Sequence, residues 1–232
     1  MTKDTRKKQW DTEYDNPELM TRDTKPQKHV LRFLKWMKKK KRDLLNEDSL
    51  VLDMGCGLGR NIAYINKKFI SPGIGYDISA SALAFARKNY SNKKISFNEK
   101  NIGTRFDTIA DGSVSLVLDV TTSHMLSARE RTLYISELAR IIIPGGMIYF
   151  RTLAREGDTN AKKLLLEFPG TEDGTYIHPI LKTQERVFTR KDIFDLYGEF
   201  FNVVYSERSI GYQKVGNQSY KRNYWEVYLE RK

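Results

Sequence analysis

Apolar and polar positions change period along this chain. In KPQKHVLRFLKWMKKKKRD, residues 25–43, the residues Val30, Leu31, Phe33, Leu34 and Met37 recur at helical spacing. They predict a helix with Pro26 in its first turn and a lysine run at its C-terminal end, where cations complement the helix dipole. Beyond it, short apolar runs alternate with helical patterns. SLVLDM, GIGYDI, KISFNEK, SVSLVLDV and GMIYFRTL predict five strands. Between them, the residues from Gly59 to Lys67, SASALAFARKNY with Ser79 as its cap, and SARERTLYISELARII predict helices, the last stopped by Pro144-Gly145-Gly146. Such alternation implies a parallel sheet joined by right-handed crossovers.

Residues 153–188 interrupt the alternation with a long, turn-rich, partly helical stretch. An insertion of that length beside a sheet's carboxyl edge is expected to act as a substrate lid. TRKDIFDLYGEF then predicts a helix capped by Thr189. FFNVVYSER and RNYWEVYLERK, joined by GYQKVGNQSYK, predict an antiparallel closing hairpin. The chain therefore divides into an N-terminal arm and helix (1–48) expected to cover the site, a core (49–152), the insertion (153–188), and a final helix and hairpin of the same domain (189–232).

Composition narrows the class. The chain has 232 residues, 40% hydrophobic and 30% charged, as expected of a globule with a sizeable core. No apolar run approaches the roughly 20 residues of a membrane span, so no membrane is expected, and Cys56 is the single cysteine, so a cytoplasmic location is the expectation. Residues 1–48 carry 14 Lys+Arg against 9 Asp+Glu, and the run Lys38–Arg42 is the densest part of a formal net charge of +11. Such a field attracts polyanions or simply solvates one face.

Candidate chemistry starts in VLDMGCGLGR. Gly55, Gly57 and Gly59 sit at alternate positions directly after a strand that ends near Asp53. Strand, glycine-rich turn and helix make a nucleotide-binding arrangement, in which glycine adopts positive φ and lets backbone touch a ligand. The spacing Asp-x-Gly-x-Gly-x-Gly fits neither register of the dinucleotide fingerprint, because Arg60 or Ile62 would stand at its last glycine. It also lacks the lysine and hydroxyl of a phosphate loop. An NAD-dependent oxidoreductase is therefore disfavoured. Asp77, about 20 residues after the turn and closing the second strand, is placed to accept the hydroxyls of a ribose.

Taken in order, DMGCGLGR, GYDIS, SVSLVLDV and IIIPGGMIYF resemble the class I S-adenosylmethionine-dependent methyltransferases. The resemblance implies an α/β fold: a doubly wound, mostly parallel seven-stranded sheet with an antiparallel last strand. It implies S-adenosyl-L-methionine as cofactor, cradled at its methionine end by Asp53 and the backbone of Gly55, Gly57 and Gly59. Asp77 would hold the ribose, Ile78 would pack on the adenine, and Asn101 and Ile102 would meet the adenine edge. Many members have aspartate where Asn101 stands. Asp119, ending the fourth strand, would face the cofactor's amino group or the acceptor.

A methyl acceptor that is a hydroxyl or a protonated amine also needs a base. Asp119 and His124, just after the fourth strand, are the candidates. His178 in the insertion and His29 on the N-terminal helix are weaker ones. Arg22, Arg151 and Arg155 could meet an anion, and Tyr212, Tyr220, Tyr224, Trp225 and Tyr228 could stack on bases or pack. No Cys/His cluster has metal spacing. The expected activity is methyl transfer to an O or N nucleophile of a small molecule. A tRNA base as acceptor, or a non-catalytic cofactor-binding subunit, stays open.

Overall fold

The computed structural model describes residues 3–17, 23–215 and 218–232. Five parallel strands run β1 (Leu50–Met54), β2 (Gly73–Asp77), β3 (Ile95–Glu99), β4 (Val114–Val120) and β5 (Ile142–Leu153). After them come a short pair, β6 (Thr175–Ile177) and β7 (Gln184–Arg186), and a long hairpin, β8 (Phe201–Val215) and β9 (Gln218–Arg231). The main sheet has seven strands in the order β3-β2-β1-β4-β5-β9-β8, with β9 antiparallel to both neighbours. The reversal of order between β1 and β4 leaves a crevice at their carboxyl ends, where open α/β sheets bind ligands.

The described residues form seven α-helices: α1 (Lys3–Asp15), α2 (Lys28–Lys40), α3 (Arg60–Phe69), α4 (Ala80–Tyr90), α5 (Ala128–Ile141), α6 (Thr159–Glu167) and α7 (Arg190–Tyr197). The helical spacing over residues 30–37 is what buries α2. Val30, Phe33, Leu34 and Met37 pack on Val51, Leu118 and Tyr149 of one sheet face. On the other face, Tyr134 and Leu138 of α5 and Ile193 and Tyr197 of α7 pack on Val117, Ile148 and Phe150. Burying a side chain of this size stabilises by roughly 1.5–3 kcal/mol. β4 is buried at every position, as a strand covered on both faces must be.

Three expectations shift. Pro26 stands ahead of the first turn, because Gln27 is the N-cap of α2; Asn61 accepts its N–H at 3.1 Å. The Pro144-Gly145-Gly146 turn lies inside β5. Val114 pairs with Ile142 and Leu116 with Met147, so the turn is a bulge with Gly145 at φ 76°. The segment between the last two strands is itself paired, since Gly211 opposes Arg222 and Gln213 opposes Tyr220. Ser79 and Thr189 cap α4 and α7 as expected, the latter in a capping box with Asp192.

Candidate functional site

The glycine turn after β1 forms one wall of a cavity. Gly55, Gly57 and Gly59 all have positive φ (68°, 52° and 79°). A Cβ on Gly55 would fall 2.3 Å from the Thr122 side chain, and one on Gly57 would fall 2.4 Å from the Tyr14 hydroxyl. Larger residues are thus excluded by conformation and by space together. Gly57, Asp77, Ile78, Asn101 and Ile102 line the cavity with Gly55, and Thr121, Thr122, Met125 and Leu126 close the far side. Gly59 and Asp53 lie behind this lining. Gly59 meets Phe97 and Ala86, and starts α3.

Backbone donors fix Asp77. Its Oδ2 accepts from the Gly57 N–H at 2.8 Å and its Oδ1 from the Ser79 N–H at 2.9 Å. Each oxygen keeps a lone pair, so the carboxylate can still accept from a ligand. Asn101 is held by its own turn, where its Oδ1 accepts from the Gly103 N–H at 2.9 Å.

Three carboxylates, Asp53, Asp77 and Asp119, are buried beside the cavity, and none forms an ion pair among the described residues. Burial pushes all three above the ordinary carboxyl range. Asp53 rises to about 7, helped by the charges of Asp77 and Asp119, although the Ile62 N–H opposes the shift. Asp119 rises to about 6 against hydrogen bonds from Ser123. Asp53 Oδ2 has no hydrogen-bond partner among the described residues. A buried acceptor without a donor is costly, and a cationic or hydrogen-bonding ligand would relieve it. The donor set and the glycine cradle therefore fit S-adenosyl-L-methionine, which carries a sulfonium, an ammonium and a ribose.

Helix α1 roofs the cavity. Arg6, Trp10 and Tyr14 line it. Ion pairs and hydrogen bonds hold the helix down. Arg6 pairs with Glu130 of α5, and Lys7 pairs with Glu99 at 2.7 Å. Asp11 Oδ1 accepts from the Ser79 hydroxyl at 2.7 Å and from the Ser81 N–H at 3.2 Å, which adds a carboxylate to the N-terminus of α4. Tyr14 lies over the glycine turn, and burial with the nearby Asp77 pushes its phenol upward. In the sequence Trp10 and Tyr14 stand out only as isolated aromatics four apart, and nothing local marks Arg6 or Asp11. Residues 3–15 are polar around their whole circumference, so no apolar stripe marks the helix.

The expected catalytic pair is placed differently. Asp119 does not line the cavity. Its Oδ2 accepts from the Tyr134 hydroxyl at 3.0 Å and its Oδ1 from the Ser123 N–H at 3.2 Å, so it holds the start of the turn that follows β4. His124 sits in that turn, 5% exposed, one residue from the cavity-lining Met125. Its Nε2 is 4.0 Å from Glu185 Oε2, and its Nδ1 has no partner among the described residues. Burial lowers its pKa to about 4, so the ring is neutral at pH 7.

The insertion contributes no residue to this cavity's lining. Its β7 packs on the His124 turn instead, with Glu185 held by the Tyr176 hydroxyl at 2.5 Å. His178 is buried, and its Nδ1 accepts from the N–H groups of Ile180 and Leu181. His29 Nδ1 meets the Tyr149 hydroxyl at 3.0 Å, and burial holds its pKa low. Arg151 stacks on Tyr224, 3.5 Å from the ring centroid, and Arg155 pairs with Asp173 at 3.3 Å. Arg22 lies outside the described residues. Of the C-terminal aromatics, Trp225 and Tyr228 are buried, whereas Tyr212 and Tyr220 are exposed. Among the described residues no group of three His, Cys, Asp or Glu side chains could hold a metal. No described helix is long and apolar enough to cross a membrane.

The chain is similar to known methyltransferases in sequence and in fold. Residues 51–146 match the family model described as a methyltransferase domain. Phosphoethanolamine N-methyltransferase of Plasmodium falciparum is 36% identical over 89 residues, covering 35% of this chain and 34% of that protein. The match thus spans about a third of that relative's length. A crystal structure of a SAM-dependent methyltransferase from Methanosarcina mazei matches with a TM-score of 0.68 at 22% identity, over 82% of this chain and 96% of that one. One from Anabaena variabilis gives 0.69 at 18% identity, over 99% and 95%.

Proposed function

We propose that this chain, which belongs to the class I S-adenosylmethionine-dependent methyltransferases, transfers the methyl group to an O or N nucleophile of a small-molecule acceptor. S-adenosyl-L-methionine supplies an activated methyl on a sulfonium, so the protein's task is to bind, orient and exclude water. The observation that carries the reading is the cavity itself. It gathers the glycine turn, Asp77 and Asn101 at the carboxyl ends of neighbouring strands, beside two further buried carboxylates, Asp53 and Asp119, with no ion-pair partner among the described residues.

In this reading Asp77 accepts the ribose hydroxyls, Ile78 and Ile102 flank the adenine, and Asn101 accepts from its amino group. The backbone of Gly55 and Gly57 lies against the methionine end, with the Asp53 carboxylate behind it as its counter-charge. Asp119 is a positioning residue that holds the Thr121–Met125 turn through Ser123. His124, neutral at pH 7, receives the acceptor's proton. Residues 1–48 cover the site through α1, and residues 153–188 form the wall behind His124.

A small acceptor is favoured by the roof. Three of the cations around it are already engaged, Arg6 by Glu130, Lys7 by Glu99 and Arg60 by the Asp23 carbonyl at 3.0 Å, which leaves less charge to track a phosphate backbone into the site. Amines are the first acceptors to try, starting with phosphoethanolamine, because the Plasmodium relative is an N-methyltransferase of that compound.

The test is calorimetric titration with S-adenosylmethionine, S-adenosylhomocysteine and NAD in parallel, followed by a methyl-transfer screen over amines and alcohols. Micromolar binding of the two sulfur ligands, none of NAD, and turnover with a small acceptor support the reading. Binding without turnover on any small acceptor but with turnover on RNA would overturn the acceptor assignment.

A further inference from the structure

The charge that most marks the sequence is on the wrong side of the molecule for the cofactor cavity. In a doubly wound sheet the helices that lead into the strands run against them, so α2, α3 and α4 end at the edge where the strands begin. The cavity lies at the opposite edge, one strand length away, about 17 Å for five residues. Lys38, Lys39, Lys40 and Arg42 crowd the end of α2, and Lys67 and Lys68 the end of α3. Lys88 ends α4, and Lys93 and Lys94 follow it.

These ends are contiguous. The Ser71 hydroxyl donates to the Asn46 carbonyl at 2.7 Å, which joins the loop after α2 to the end of α3. Lys94 Nζ donates to the Ile70 carbonyl at 3.3 Å, and Asn92 Nδ2 to Asn66 Oδ1 at 3.3 Å, which join the loop after α4 to the same place. All nine cations are exposed, and none forms a salt bridge among the described residues. The acidic side chains between them are Asp43, Glu47 and Asp48. Lys41, by contrast, is neutralised by Glu230 at 2.5 Å.

We infer that this edge is a docking surface for the phosphate backbone of a folded RNA, separate from the methyl-acceptor site. Nine cations with no salt bridge among the described residues, held on three helix ends and the turns that follow them, neutralise phosphates with little loss of conformational freedom in the backbone that carries them. The surface suits RNA better than an anionic bilayer. The apolar stripe of α2 is spent on the core, and among the described residues Ile70 is the one large apolar side chain exposed between these helix ends. Membrane-surface binding combines charge with a buried apolar face, which is missing here. It also suits an A-form helix better than B-DNA. The helices arrive end-on, so no described helix or strand projects from this edge to enter a major groove, whereas A-form RNA is recognised by shape and backbone. The inference does not depend on which small molecule is methylated.

The experiment measures binding of a fluorescent RNA hairpin of about 20 base pairs to the full chain, from 50 to 200 mM salt. Each phosphate neutralised contributes about −0.9 to the slope of log K against log salt, so engaging 6 or more of the cations predicts a loss of at least about 10³-fold. Two charge-reversal variants, K38E/K39E/K40E and K67E/K68E, are each expected to weaken binding at least tenfold. Both should leave S-adenosylhomocysteine affinity unchanged, since all five side chains are exposed and remote from the cavity. Saturating S-adenosylhomocysteine should leave RNA binding unchanged. No RNA binding at 50 mM salt overturns the inference. So does binding that survives both variants, or binding that competes with the cofactor. Tighter binding to a DNA duplex, or to phosphatidylserine vesicles, overturns the choice of RNA.

Discussion

The Gly57 N–H donates to Asp77 Oδ2 at 2.8 Å, so the turn after the first strand and the carboxylate after the second are one hydrogen-bonded unit. Ser79 N–H holds the other oxygen, and Asp11 of the N-terminal helix holds the Ser79 hydroxyl. The cavity floor, its acidic residue and its roof are thereby coupled.

Removing the charge of Asp77 tests that unit. Asp77→Asn keeps the shape but weakens acceptance from the ligand, and turns its amide nitrogen toward either the Gly57 or the Ser79 N–H, with loss of that hydrogen bond. A charged hydrogen bond is worth about 1.5–3 kcal/mol, so S-adenosylhomocysteine affinity should fall roughly 10- to 150-fold with the fold intact. Calorimetry and circular dichroism read the two. An unchanged affinity would remove Asp77 from the ligand.

Gly57→Ala should lower stability by about 1–3 kcal/mol, because the residue is held at φ 52° and its Cβ would meet the Tyr14 hydroxyl. Adding Tyr14→Ala should return part of that loss, and the part returned measures the steric share. Denaturant unfolding of the two single variants and the double gives the cycle. Strict additivity would mean that Tyr14 does not lie over the turn.

The raised carboxyls predict a pH dependence with a definite sign. Asp53 at about 7 and Asp119 at about 6 lie above their unfolded values near 3.9. Between roughly pH 4 and 7 the folded state therefore holds more protons than the unfolded one, so the stability of the ligand-free protein should fall as pH rises through that window. Affinity for the sulfonium cofactor should rise over the upper part of it, since the deprotonated forms attract the cation. Thermal unfolding and titration from pH 5 to 8 check both signs. Asp53→Asn should flatten the affinity profile.

His124→Ala should reduce turnover by about 10²- to 10⁴-fold, the usual contribution of general acid–base catalysis, with cofactor affinity changed little. Its depressed pKa, about 4, means that no loss of base from protonation is expected above pH 5. If turnover is unaltered, His124 only fills the turn behind the cavity, and Glu185 at 4.0 Å is a packing partner.

The parallel core and the glycine turn are legible in the sequence alone. Apolar runs flanked by capping residues such as Ser79 and Thr189 act locally, and glycines at positive φ are needed wherever a backbone must turn that way, so both are visible without a partner segment. The sequence also determined that Asp77 would stand about 20 residues beyond the turn. Tertiary structure decided the rest, because the forces involved join residues far apart in the chain. Helix α1 buries no continuous apolar stripe and is fixed by ties to Glu130, Glu99 and Ser79, none of them near it in sequence. Asp119 reads as a site residue until Tyr134, fifteen positions on, takes its carboxylate. The lysine run was legible as charge, but only the antiparallel course of helices and strands shows that it lies at the edge away from the cavity.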